Sequence, residues 1–139
     1  MDIVFADTDV CLDLLAERHP FYNGAARLFS LADQKTVVVA VSSLSFSHIH
    51  YLLRKEFSSA EARKILTRFK ALVKVLSVDD RIIQLALQSS FKDFEDGIQY
   101  FTAEHNQANL IVTRNLKDYK ESVLPVMTPD SYLKMSTDH

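Results

Sequence analysis

Three acid-bearing segments stand where an α/β chain would place chemistry. Asp7 ends the apolar run Ile3-Val4-Phe5-Ala6, and Asp118 ends Thr113-Arg114-Asn115-Leu116-Lys117-Asp118, directly after the apolar run Leu110-Ile111-Val112. Between them, Asp93-Phe94-Glu95-Asp96 opens a helical stretch. Carboxylates gathered at one place repel each other, and a hard divalent cation is a common compensation. Mg²⁺ needs few carboxylates because it keeps several waters. A cation so held activates water and stabilises charge on a phosphate under attack, so this pattern suits phosphodiester hydrolysis. Each acid also has a purely structural reading. Asp7 or Asp9 caps a first helix, Asp93 is well placed as an N-cap, and Asp118 pairs with Arg114 or Lys120 as a loop acid. Asp96 lies three residues beyond Asp93, on the same helix face.

The elements that must position these acids follow from periodicity. Short apolar or β-branched runs at 3–6, 36–40, 72–76, 109–113 and 125–127 are expected as strands. Helical spacing is expected from Val10 to Leu15 and around Ala25 to Leu31. Further helices are expected from Ser42 or Ser43, from Ser58-Ser59 to about Lys70, from Asp79-Asp80, from Asp93, and from Pro129 to Met135. Strands alternating with helices predict an α/β three-layer sandwich with a central parallel sheet of four to five strands, flanked by helices. In such sheets ligands sit beyond the carboxyl ends of the strands, where Asp7 and Asp118 fall. One domain over 1–135 with a short tail at 136–139 is expected.

The 139 residues suffice for one core and are too few for two. With 47% hydrophobic and 24% charged residues, and only 2 Gly and 3 Pro, a disordered reading is excluded. A net charge of −2 argues against binding nucleic acid through bulk charge, so any such contact needs a local patch or a cation. The single Cys11 rules out an internal disulfide or a multi-cysteine zinc site and reads as a buried thiol. No basic region precedes an apolar one at the N-terminus, and no run is long enough for a bilayer, so a cytoplasmic protein is expected. Gly24 and Gly97 are too isolated for a phosphate-binding loop, and no Ser-His motif supports a nucleophile.

The order of the segments adds a resemblance. Val4-Phe5-Ala6-Asp7-Thr8-Asp9-Val10 resembles the D-T-N/D opening of PIN domains. Asp93-Phe94-Glu95-Asp96-Gly97-Ile98-Gln99 is similar to the D-F-E-D-A-I-Q stretch of one bacterial subgroup, and Ile111 to Tyr119 is similar to its I-V-T-R-N-x-x-D-F motif. The resemblance spans residues 3 to about 134. It implies a PIN-like fold and Mg²⁺- or Mn²⁺-dependent cleavage of RNA. Many bacterial members are VapC-like toxins paired with a small antitoxin and commonly dimeric. By position Asp7, Asp96 and Asp118 resemble the first, third and fourth family acids and would hold the metal. Thr113 and Asn115 match the polar residues that accompany the last acid, and Asp9 would orient the first loop. The sequence departs from the pattern at the second acid, where His48 stands in place of Glu. Imidazole suits Mn²⁺ or a transition metal better than Mg²⁺. The other reading of His48 is a hydrogen-bonded helix residue with no ligand role. Glu95 is the one nearby acid that could compensate.

A basic stretch, with Arg54, Lys55, Arg63, Lys64, Arg68, Lys70 and Lys74, is opposed only by Glu56 and Glu61. It reads either as an RNA-backbone contact or as a solvated helix face. Two functions therefore remain open: a metal-dependent ribonuclease with an antitoxin partner, and a degenerate PIN module that binds RNA or protein without cutting.

Overall fold

The computed structural model describes residues 1–137. Five strands form one sheet: β1 (Ile3–Ala6), β2 (Val38–Ser42), β3 (Lys74–Leu76), β4 (Leu110–Val112) and β5 (Val126–Met127). Their spatial order is β3-β2-β1-β4-β5, and every neighbouring pair is parallel. The crossovers carry α1 (Thr8–Leu15), α2 (Tyr22–Asp33), α3 (Ser43–Leu53), α4 (Ser59–Leu72), α5 (Asp80–Gln88) and α6 (Phe94–His105). A 3-10 turn (Leu116–Tyr119) precedes β5, and α7 (Pro129–Thr137) follows it. The tail expected at 136–139 begins inside α7, which runs two residues further than expected, through Thr137; residues 138 and 139 lie outside the described residues.

Period-two alternation sorts the strand side chains between two cores. Val4, Ala6, Val39, Val41, Leu110 and Val112 face a layer built by α1, α2, α3, α4 and α7 through Leu12, Leu28, Phe29, Ile49, Phe69 and Tyr132. Phe5, Ala40 and Ile111 face the other side, against Tyr100 and Ala103 of α6 and Tyr119 of the 3-10 turn. Helix α5 packs on α6 through Ile82, Ala86 and Ile98. The same parity continues past the strand ends. Asp7, Ser42 and Thr113 follow Phe5, Ala40 and Ile111 by two residues and emerge on the α6 side.

The strands depart from the expected runs in register rather than in number. β2 lies two residues later than expected, because Val38 pairs with Ile3 while Thr36 and Val37 complete the turn from α2. Its last residue, Ser42, pairs with Leu76 and also accepts from Leu44 N–H at 3.2 Å, so one residue closes a strand and caps α3. β3 is shorter than expected because α4 extends through Leu72. The 3-10 turn has no counterpart among the expected elements. The basic stretch is divided among the end of α3, the exposed side of α4 and β3, on and beyond the layer opposite α6, so it is not one helix face.

Candidate active site at the carboxyl edge of the sheet

Asp7 sits at the end of the central strand and is 4% exposed. Both of its oxygens are engaged. Oδ1 accepts from Val10 N–H at 3.0 Å, capping α1, and Oδ2 accepts from the Thr113 hydroxyl at 2.5 Å. Thr113 Oγ1 in turn accepts from Asn115 N–H at 3.1 Å. The loop after β4 is thus tied to the end of β1 through one hydroxyl. Asn115 Nδ2 reaches Asp9 Oδ2 at 3.5 Å, and Asp9 lies 3.7 Å from Arg18. Asp9 thus lies between the loop after β4 and the segment that follows α1. Desolvation raises the Asp7 carboxyl to about 7, and the Thr113 and Val10 hydrogen bonds only partly offset it.

Helix α6 brings the next acids. Asp93 is its N-cap and accepts from Asp96 N–H at 3.1 Å, the structural role expected of it. Asp96 lies one turn in, on the edge of the face that carries Tyr100 and Ala103 to the sheet. Burial and then the charges of Asp93, Asp118, Asp7 and Asp9 raise it to about 7. The fourth acid arrives on the 3-10 turn. Asp96 and Asp118 line one cleft of about 410 Å³, together with Asp93, Glu121, Lys92, Lys117 and Lys120. Asp7 does not line this cleft; it is buried, and its charge acts on Asp96. None of the three lysines is ion-paired among the described residues.

His48 goes elsewhere. It is exposed on α3, with Nδ1 3.5 Å from Glu95 Oε2. The pair lines a second cleft of about 540 Å³ with Thr8, Ser42, Ser45, Tyr51, Phe94 and Gln99. Within it the Thr8 hydroxyl meets Ser45 Oγ at 2.8 Å, and Gln99 Oε1 accepts from Thr8 N–H at 2.8 Å. Arg114 pairs with neither Asp118 nor a solvent acid. Its guanidinium donates at 2.8 and 3.2 Å to Asp13, which is 2% exposed, and lies 4.2 Å from the centre of the Phe21 ring.

A sequence model of the PIN domain matches residues 3–117. The chain belongs to the PIN domain family. No curated protein matches it. Similar solved structures include the DNA-bound VapBC of Salmonella typhimurium, 16% identical, with a TM-score of 0.69 over 93% of this chain and 99% of that one. VapBC2 of Rickettsia felis, bound to a promoter DNA fragment, is 18% identical, with a TM-score of 0.67 over 90% of this chain and 96% of that one. VapC20 of Mycobacterium tuberculosis, a sarcin-ricin loop cleaving toxin, is 18% identical, with a TM-score of 0.61 over 78% of this chain and 86% of that one. At these identities the likeness is one of fold. No described helix is long and apolar enough to cross a membrane.

Several members of this PIN site are not announced by the sequence pattern. Lys92, Lys117 and Lys120 each stand one or two residues from a named acid, and that proximity is the one local cue to them. Gln99 and Thr8 join α6 to α1 across 91 positions, and Arg114 finds Asp13 across 101. Local spacing carries no trace of such pairs.

Proposed function

We propose that this PIN domain is a divalent-cation-dependent ribonuclease of the toxin type, acting on RNA, paired with a small antitoxin protein and working as a homodimer. One observation carries the reading. Two carboxyls, Asp7 and Asp96, are driven to about 7 beside a cleft that also holds Asp118 and three lysines with no ion-pair partner among the described residues. Groups left with that much unrelieved burial and like charge favour a cation, and the lysines favour a polyanion. The solved structures of VapBC complexes and of a toxin that cleaves the sarcin-ricin loop support the partner and the substrate class.

The donor chemistry fits Mg²⁺ or Mn²⁺ held mostly through water. The oxygens are hard, and among the described residues no three His, Cys, Asp or Glu side chains stand close enough to encircle an ion. Asp96 and Asp118 would hold the cation from the cleft, together with Asp7. When bound, it supplies an activated water and neutralises charge on the phosphate. Thr113 fixes the Asp7 carboxylate, Asp93 fixes the first turn of α6, and Lys92, Lys117 and Lys120 hold flanking phosphates.

The second reading, a PIN module that binds without cutting, is favoured by His48, which stands where the resemblance implies the family's second acid and lies 3.5 Å from Glu95. Calorimetric titration of Mg²⁺ and Mn²⁺ into the protein and its Asp7→Asn and Asp96→Asn variants, with labelled RNA assayed alongside, separates the two. Binding and cleavage that vanish together in the variants establish the nuclease. No binding at millimolar cation and no cleavage leave the binding module.

A further inference from the structure

Arg114 stands between the two residues that tie the loop after β4 to the end of β1. Thr113 donates to Asp7, and Asn115 N–H donates to Thr113. Asp118 N–H then donates to the Asn115 carbonyl at 3.0 Å, so the chain from Thr113 to Asp118 forms one hydrogen-bonded unit. The Arg114 side chain leaves that unit for α1. Its Nε and Nη2 reach the two oxygens of Asp13 at 2.8 and 3.2 Å, and its guanidinium lies over the ring of Phe21, the residue before α2. The Asp13 side chain is 2% exposed. By contrast, the pairs Arg18–Asp9, His48–Glu95 and Arg68–Glu61 join side chains at least 37% exposed. Asp7 caps α1, and Asp13 lies further along the same helix, about 9 Å away at 1.5 Å per residue. The loop therefore grips α1 at two points, Thr113 at its start and Arg114 nearer its end. One contact leaves a rotation open, and two close it. A buried ion pair is a weak stabiliser, because apolar residues of similar volume hold a fold as well or better. What the arginine fork adds is direction.

We propose that Arg114 is a positioning residue of the acid site: its fork on Asp13, with the Thr113 contact at Asp7, fixes the direction in which the loop presents Asp118 to the cleft it shares with Asp96. This rests on the cation-dependent reading above. Arg114 touches neither the cation nor the RNA in this role. It acts through the loop that carries Thr113, Asn115 and Asp118, and Phe21 holds the guanidinium plane in place. Carboxylates that share one cation must keep a fixed relative orientation, and Asp7 and Asp118 belong to different elements. The two-point grip joins those elements.

The test replaces the pair by apolar residues, Asp13→Leu with Arg114→Met, beside the single variant Arg114→Lys and the exposed-pair control Arg68→Ala. Each is read by urea unfolding in chelator and by Mn²⁺ calorimetry. The double variant removes one charge of each sign, so the net charge near the acids is unchanged. It should unfold at the wild-type midpoint or above. Its Mn²⁺ Kd should nevertheless rise at least about tenfold, the lower end of what loss of an outer-shell partner costs. Arg114→Lys keeps the charge and loses the fork, and should raise the Kd severalfold. Arg68→Ala should leave it unchanged. A folded double variant with the wild-type Mn²⁺ Kd overturns the inference: the pair then only holds the fold, and the cation-dependent function stands. Where the double variant does not fold, Arg114→Lys decides, and an Mn²⁺ Kd within about twofold of wild type overturns the inference in the same way. Wild type that binds no Mn²⁺ sinks the cation-dependent function itself and the role of Arg114 with it.

Discussion

The first turn of α6 divides two clefts with different polar linings. On one side Asp96 and Asp118 meet Lys92, Lys117 and Lys120. On the other, Glu95 turns to His48, and Thr8, Ser45 and Gln99 satisfy one another. Successive residues of one helix, Glu95 and Asp96, supply the two clefts, because neighbours on a helix point about 100° apart. The second cleft is larger, and its one acid already lies 3.5 Å from the His48 imidazole. In the first, neither the acids nor the lysines are ion-paired among the described residues. Unmet charge, not volume, marks the cleft where a cation and a phosphate would lower the free energy. His48 faces Glu95 rather than the acid cleft.

The largest expected effect is on the acid side. Asp96→Asn keeps the shape of the first turn and removes the charge, and it should lower kcat/KM for RNA by at least about 100-fold, as loss of one preorganised charge-stabilising group does elsewhere. Steady-state cleavage of a labelled RNA measures it. A residual activity near wild type would mean that the cleft is not the reaction centre.

These acids also predict an unusual pH profile without metal. Asp7 lies at about 7 in the fold against 3.8 ordinarily, so between those values the folded state binds the proton more tightly than the unfolded chain. That stabilisation is present at low pH and is lost as pH rises toward 7, where the carboxyl must ionise in place. At about 1.4 kcal/mol per unit, wild type in chelator should lose about 3 kcal/mol between pH 5 and pH 8 from this group, with Asp96 adding to it. Asp7→Asn can still accept from Val10 and contact Thr113, and should show a smaller loss. Urea unfolding at both pH values, with and without Mg²⁺, checks the sign. A wild type more stable at pH 8 than at pH 5 in chelator would refute the buried, uncompensated state of these acids.

What was legible in the sequence divides along the same line. Asp7 at a strand end, the Asp93 cap and the parallel α/β order are readable because each is written in adjacent residues: an apolar run that stops, or an acid three residues ahead of an amide. The matched family confirms the order of segments over residues 3–117. The rest depends on partners far apart in the chain. Asp7 is buried rather than lining the cleft, held there by Thr113, 106 positions away. Arg114 serves Asp13 rather than Asp118 because α1 packs beside the loop after β4. The numerous charges around α4 draw the eye as the cationic side of the site, whereas the lysines that line the cleft with the acids are three isolated ones. Charge density along a sequence is a poor guide to charge density in space, because α4 presents its exposed face on the opposite layer.

Those lysines give an intermediate effect. Lys117→Ala with Lys120→Ala should raise KM severalfold at physiological salt while changing kcat little. It should also flatten the dependence of RNA affinity on salt, by about 0.7 for each phosphate of a single strand that the protein no longer neutralises. Replacing Arg63 and Lys64 on α4 should leave the salt slope unchanged. An equal flattening from the α4 pair would move the RNA path to the other layer and dissolve the contrast between the clefts.

The smallest effects belong to His48. Its pair with Glu95 is 43% and 71% exposed at the two side chains, so His48→Ala should cost no more than about 0.5 kcal/mol in urea unfolding. The Mn²⁺ Kd should stay within about twofold, because His48 faces Glu95 and not the acid cleft. A loss of Mn²⁺ affinity of about tenfold would instead make the imidazole a ligand and merge the two clefts into one site. The converse variant sharpens the point. His48→Glu sets a carboxylate against that of Glu95, and the repulsion drives these exposed side chains apart, into solvent or toward a cation in the acid cleft. Combined with Glu95→Gln, that repulsion disappears. If His48→Glu alone tightens Mn²⁺ severalfold and the double variant does not, the family's second acid acts here only when Glu95 drives it across the first turn of α6.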